Sequence, residues 1–165
     1  MKVEMYLLFN QTKIEELISK ADVCINLVGI LFEKGPNNFT NIHEKFPAMI
    51  SKFCSKHNIH KFIHLSALGI ENEKNSKYAM SKLNGESLII QNFEKAIILK
   101  PSIIYSVDDN FTTMLMSLFN ILPIFPLYYQ GKTKFMPLHC KDICNLIIDL
   151  VEAKIVFDTE LYRCS

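Results

Sequence analysis

Three short and nearly all-apolar runs punctuate the chain, at residues 23–28, 61–65 and 96–100. Each is too short for a buried helix, and each ends at a turn signal: Gly29, Ser66 or Pro101. Such runs predict strands buried on both faces of a parallel sheet. Between and after them the apolar positions recur at helical spacing. Phe46, Met49, Ile50 and Phe53 predict a helix over 43–56, with Pro47 tolerated in its first turn and Asn58 closing it. A helix over 77–92 follows the second run, and Ile143, Leu146, Ile147 and Leu150 mark another over 141–153. Upstream, Thr12 followed by Glu15 predicts a capped helix over 13–20. Residues 2–9 alternate loosely and read as a strand or as a start foreign to the fold. Asp108 and Asp109 predict a further helix through Leu115 and Phe119, and 134–138 a short extended piece. Strand, helix and strand alternate, which predicts an α/β fold with a mainly parallel sheet.

A parallel pair joined by a helix crosses over right-handed, and that places Gly29 and Ser66 on the same edge of the sheet. Ligands in open parallel sheets bind at this edge. The stretch from Ser66 to Lys82 adds chemistry to it. Tyr78 and Lys82 stand four apart on the third helix, so the phenol and the ammonium share one face. A neighbouring cation favours the phenolate, which would bring Tyr78 towards acid/base work near neutrality. Ser66 could hydrogen-bond the oxygen on which the proton transfer happens. Ser66, Tyr78 and Lys82 are therefore the candidate catalytic residues. The spacing alone is unspecific, since the chain has six tyrosines among many lysines.

Composition narrows the class. The 165 residues suit one domain, and 49% hydrophobic with 21% charged residues argues for a folded chain. A net charge of +1 with interspersed signs excludes a broad nucleic-acid footprint. Five cysteines without a C-x-x-C pair suit free thiols in a reducing compartment, so a cytoplasmic location is expected. Cys140 and Cys144 share a helix face, but without a second pair they do not make a metal site. His57, His60 and His64 read as junction and strand residues, and Phe111, Phe119, Phe125 and Phe135 as core. No metal is expected. There is no signal-peptide pattern, and no run approaches the ~18 apolar residues that would predict a transmembrane segment.

The stretch from Ser66 to Lys82, together with Asn26-Leu27-Val28-Gly29 upstream and Lys100-Pro101-Ser102 downstream, resembles the short-chain dehydrogenase/reductase superfamily. More narrowly it is similar to the atypical extended branch, related to NAD-dependent epimerases and dehydratases, that includes the nucleotide-binding accessory subunit of complex I. The similarity covers roughly residues 10–150. It implies a Rossmann-like doubly wound parallel sheet, with a substrate-side subdomain beginning near residue 105. It also implies a nicotinamide dinucleotide, NAD(P), contacted by Leu27, Val28, Gly29, Tyr78, Lys82, Pro101, Ser102 and Ile103, with Ser66, Tyr78 and Lys82 doing the chemistry.

One departure is large. The family begins with a strand and a glycine-rich turn that seats the pyrophosphate on a helix N-terminus. None of Gly29, Gly35, Gly69, Gly85 and Gly131 falls in such a pattern. The expectation is a partial Rossmann-like domain lacking that unit, truncated relative to the family, with dinucleotide affinity weak or lost. A second departure is Tyr105-Ser106-Val107-Asp108, where the family has a glycine-proline turn. Two functions are thus expected: an NAD(P)-binding oxidoreductase-like domain, or a non-catalytic assembly protein of a respiratory complex, the latter including an inactive fragment of a split gene. The open sheet edge would be covered by self-association or by a respiratory-complex partner, the second placing the chain at the periphery of the inner membrane.

Overall fold

The computed structural model describes residues 10–106 and 136–152. Helix α1 (Gln11–Ile18) starts at Asn10, whose side chain accepts a hydrogen bond from the Lys13 N–H at 3.1 Å. Asn10 therefore takes the capping role expected of Thr12, as asparagine is the stronger N-cap. Strand β1 (Val23–Asn26) stops two residues short of the expected end. The reason is local: the Asn26 side-chain oxygen accepts from the Val28 N–H at 3.1 Å, bending the chain out of the strand.

A π-helical turn, Thr40–Lys45, runs directly into α2 (Phe46–Lys56). The Phe46 N–H donates to the Asn41 carbonyl five residues back, and Pro47, which has no N–H to place, follows at once. The helical path thus begins earlier than its apolar spacing predicts. Asn58, with φ of 53°, closes α2 and leads to β2 (Lys61–Leu65). A 3-10 turn at Ile70–Asn72 and the Ser76 cap, which accepts from the Ala79 N–H, introduce α3 (Lys77–Asn92). Strand β3 (Ile97–Leu99) and the short β4 (Ile104–Tyr105) follow; β5 (Leu138–His139) leads into α4 (Cys140–Glu152).

The main sheet has the order β1-β2-β3, parallel throughout, with Ile25 opposite Ile63 and Ile63 opposite Ile97. The side chains alternate accordingly. Phe62 and Ile98 point to one face and pack with Ile18, Phe46, Ile50, Cys54 and Ile89 from α1, α2 and α3. Ile63 and Leu99 point to the other and pack with Ile143 and Leu150 of α4. Helices on both faces of a parallel sheet make the doubly wound arrangement that the apolar runs predict. Strands β4 and β5 form a separate parallel pair. Among the described residues β1 is paired on one side only, and Ile25, next to Ile63, is 41% exposed. The expected helix near 108–119 and the four phenylalanines from Phe111 to Phe135 lie outside the described residues.

Helix α3 meets the π turn at Gly85. A Cβ there would stand 1.9 Å from the His43 carbonyl oxygen, a backbone atom that no rotamer change can move aside. Gly85→Ala should therefore lower stability by about 1–3 kcal/mol, the usual range for forced overpacking. Urea unfolding measures it, and an unchanged midpoint would show that the helix and the turn do not approach so closely.

Candidate functional site

The C-terminal edge of the sheet collects the end of β1, the end of β2 and the first turns of α3. Lys82, buried to 6% exposure, reaches down from α3 and donates to the Leu65 carbonyl at 3.2 Å. Its ammonium lies 3.5 Å from where a Cβ on Gly29 would be, and 6.0 Å from the centre of the Tyr78 ring. Helix spacing and the crossover thus bring Gly29, Tyr78 and Lys82 together. A lysine ammonium has three donors, and Leu65 is the sole acceptor of this one among the described residues.

The Tyr78 ring is held by two other rings. His43 and Phe39 each meet it edge-on, with centroids at 5.3 and 5.8 Å, and stack on one another at 5.3 Å. The imidazole of His43 is tied at both nitrogens. Nε2 accepts from the Ile30 N–H at 3.1 Å, and Nδ1 lies 2.9 Å from Ser81 Oγ, whose own proton goes to the Tyr78 carbonyl. An accepting Nε2 leaves the proton on Nδ1, so His43 is the neutral Nδ1–H tautomer donating to Ser81. Burial, and next the Lys82 charge, press its pKa down to about 4. Burial does the same to His64, to about 3, with Lys82 and His43 adding to it, and Asn26 donates to its Nδ1 at 3.0 Å.

Ser66 belongs to a second cluster. Its hydroxyl donates to a carboxylate oxygen of the buried Glu86, and its N–H donates to the Leu99 carbonyl at 2.7 Å. The other oxygen of Glu86 receives Lys100 at 2.8 Å, and Lys100 also binds Glu71 at 2.6 Å. Burial alone would depress the Lys100 ammonium, but the hydrogen bonds it donates to Glu71 and Glu86 outweigh it and hold its pKa above the ordinary lysine value. Leu65, which binds Lys82 and adjoins Ser66, links the two clusters.

The remaining sequence-derived positions are spread along the same edge. Leu27 is 58% exposed, Val28 packs against the core cluster that holds Phe62, and Gly29 is exposed. Pro101 is buried and accepts from the Leu68 N–H at 2.9 Å, while Ser102 and Ile103 are half-buried.

One chemical expectation is corrected. Lys82 was expected to favour the Tyr78 phenolate, yet burial raises the Tyr78 pKa and lowers that of Lys82. Desolvation is the leading cause for both groups, opposed at Lys82 by the nearby Glu86 charge. The residues that sequence reasoning missed have different signals. Glu86 extends the Tyr78, Lys82 series by another four residues and was legible from spacing. Lys100, a charge ending a buried strand, implied a partner. His43 carried no signal, because it reaches Ser81 across 38 residues of chain through a turn its sequence does not announce.

No family model matches the chain. Among curated proteins it is 29% identical over 139 residues to NADH dehydrogenase (ubiquinone) 1 alpha subcomplex subunit 9, mitochondrial, of Dictyostelium discoideum, and 28% over 141 residues to that of Mus musculus. It is also 25% identical over 134 residues to the NADH-ubiquinone oxidoreductase 40 kDa subunit of Neurospora crassa. These matches cover 84%, 85% and 81% of this chain. The chain is a homologue of these NADH dehydrogenase subunits. It spans only 38% of the Dictyostelium protein and 37% of the mouse one.

Solved structures agree on the fold. UDP-glucuronic acid 4-epimerase from Bacillus cereus, in complex with UDP-glucuronic acid and NAD, superposes with a TM-score of 0.69 at 21% identity, over 90% of this chain and 55% of that one. dTDP-4-dehydrorhamnose reductase from Bacillus anthracis, in complex with NADP, gives 0.64 at 12% identity, over 88% and 58%. The Rossmann-like fold expected from the sequence is thereby shown.

Proposed function

We propose that the chain carries the nicotinamide end of a dinucleotide site and serves as an accessory, nucleotide-holding component related to complex I. The observation that carries this reading is the convergence of Gly29, Tyr78 and Lys82 at the C-terminal edge of a parallel sheet. The Lys82 ammonium and the Tyr78 hydroxyl would bind the ribose and nicotinamide side. Leu27, Val28 and Gly29 would line one wall of the site and Pro101, Ser102 and Ile103 the other. Holding is favoured over turnover. Burial lifts the Tyr78 phenol away from neutrality, and the Ser66 proton is engaged by Glu86.

Affinity for the whole dinucleotide is weak in this sequence as it stands. The pyrophosphate normally takes charge-assisted hydrogen bonds from a glycine-rich turn, each worth about 1.5–3 kcal/mol. Losing two or three of them costs roughly 3–9 kcal/mol, against about −8 kcal/mol for a micromolar complex. A partner covering the open side of β1, whether a second copy or a respiratory-complex subunit, belongs to the same reading. Among the described residues no helix is long and apolar enough to cross a membrane, and attachment would be peripheral.

Isothermal titration of the 165-residue chain with NADH and NADPH tests this. Millimolar binding is the expected result. A stoichiometric low-micromolar signal would refute the weak-affinity claim and return the chain to the class of self-sufficient oxidoreductases.

A further inference from the structure

We infer that His43 is a positioning residue for the Tyr78/Lys82 pair, acting as a bracket that locks the Tyr78 ring and the turn after β1 to α3. The inference rests on the reading of Tyr78 and Lys82 as the nicotinamide-side contacts. Three independent features of the fold converge on this one side chain. The Ile30 N–H, just past Gly29, donates to Nε2. Nδ1–H donates to Ser81, which lies between Tyr78 and Lys82 on α3. The ring itself meets the Tyr78 ring edge-on, and Phe39 stacks on it while also meeting Tyr78 edge-on.

The backbone is committed as well. His43 lies in the widened π turn, and its carbonyl occupies the space left by the missing side chain of Gly85. A π turn shifts the side chains that follow it around the helix axis, and such turns recur at functional sites. Here the turn delivers a nearly solvent-free imidazole, 2% exposed, to the one place where it can touch Ile30, Ser81 and Tyr78 together. Two fixed hydrogen bonds leave the ring no freedom to rotate. The Tyr78 ring packed against it is therefore held in one orientation before any ligand arrives, which is how a site lowers the ordering cost of binding.

The test reads the Tyr78 ring directly, in the full chain without ligand. Tyrosine labelled at the ring carbon bearing oxygen gives an NMR line for Tyr78, assigned with Tyr78→Phe, whose position is followed against pH. The charged and titratable groups facing it are Lys82 from α3, His43 from the π turn and, behind Lys82, His64 of β2 and Glu86. His43→Phe keeps a ring but removes both hydrogen bonds. Ser81→Ala removes the α3 anchor while leaving His43 in place, and it keeps the test open if the first variant fails to fold.

In each folded variant the Tyr78 line should shift and broaden, its titration should move, and thermal stability should change less than for Gly85→Ala. A Tyr78 line and titration identical to wild type in a folded His43→Phe or Ser81→Ala protein would overturn the inference. Titration of the same samples with reduced nicotinamide mononucleotide, which lacks the adenosine half, should show at least about a tenfold weaker response in the variants, equivalent to about 1.4 kcal/mol. If the wild type shows no response at all, the nucleotide reading fails, while the ligand-free spectra still decide the role of His43.

Discussion

Acidification from neutrality to about pH 4 should remove several kcal/mol of folding stability, with the loss beginning near pH 6.5 rather than in the carboxylate range. Two imidazoles are responsible. His43 and His64 have an ordinary pKa of 6.5 in the unfolded chain and about 4 and about 3 in the folded one. Above 6.5 both states hold them neutral, and their contribution to stability is complete. As the pH falls, the unfolded chain takes up the protons first, and this stabilisation is lost until each folded-state value is passed. With about 1.4 kcal/mol for each tenfold difference in proton affinity, His43 contributes roughly 3 kcal/mol and His64 roughly 5. Since a domain of this size has only about 5–15 kcal/mol in total, it should be close to unfolding at about pH 4.

Urea unfolding at a series of pH values measures the effect. The expected slope is about 2.7 kcal/mol per pH unit between the two ranges, for two protons. His64→Asn, which removes one of them, should roughly halve that slope. Stability that stays flat from pH 6.5 down to 4.5, or a slope indifferent to His64→Asn, would show that these imidazoles are solvated rather than enclosed.

Lys100→Met should destabilise the protein by about 3–5 kcal/mol, the usual result of removing one partner from a buried ion pair. Lys100 is 3% exposed and bridges Glu86 at 2.8 Å and Glu71 at 2.6 Å. Without it the Glu86 carboxylate keeps, among the described residues, only the Ser66 hydroxyl, and Glu71 in the loop between β2 and α3 loses its ion pair with the end of β3. The asymmetry of buried charge provides the control. Combining Lys100→Met with Glu86→Gln removes the stranded charge as well and should recover part of the loss, so the pair is non-additive. Midpoints of urea unfolding for the two single variants and the double variant form the cycle. A Lys100→Met protein within about 1 kcal/mol of wild type would place the lysine in solvent, and strictly additive losses would separate it from Glu86.

The amino-acid sequence alone determined the framework. Apolar runs of five or six residues between helical patterns admit little other than strands buried on both sides, and the observed β1, β2, β3, α2, α3 and α4 all lie where those periods place them. Tyr78 and Lys82 were legible for the same reason, since a four-residue step on a helix is a local fact. The ends of elements were less legible, because they depend on which side chain reaches a free backbone group. Asn26 ends β1 early by bonding to Val28, and Asn10 rather than Thr12 caps α1.

What only the tertiary structure decided is how those elements face one another at the edge of the sheet. Ser66 reads as an active-site hydroxyl until α3 brings Glu86 to it, and Lys100 reads as a strand terminus until Glu71 and Glu86 close around it. His43 is silent in the sequence, yet it touches the Tyr78 ring and holds Ile30 and Ser81. The physical reason is range. Periodicity and capping are written within a turn or two of chain, whereas desolvation and long-range hydrogen bonds arise only when segments tens of residues apart exclude water together. Those long-range effects set the proton affinities of His43, His64, Tyr78 and Lys82.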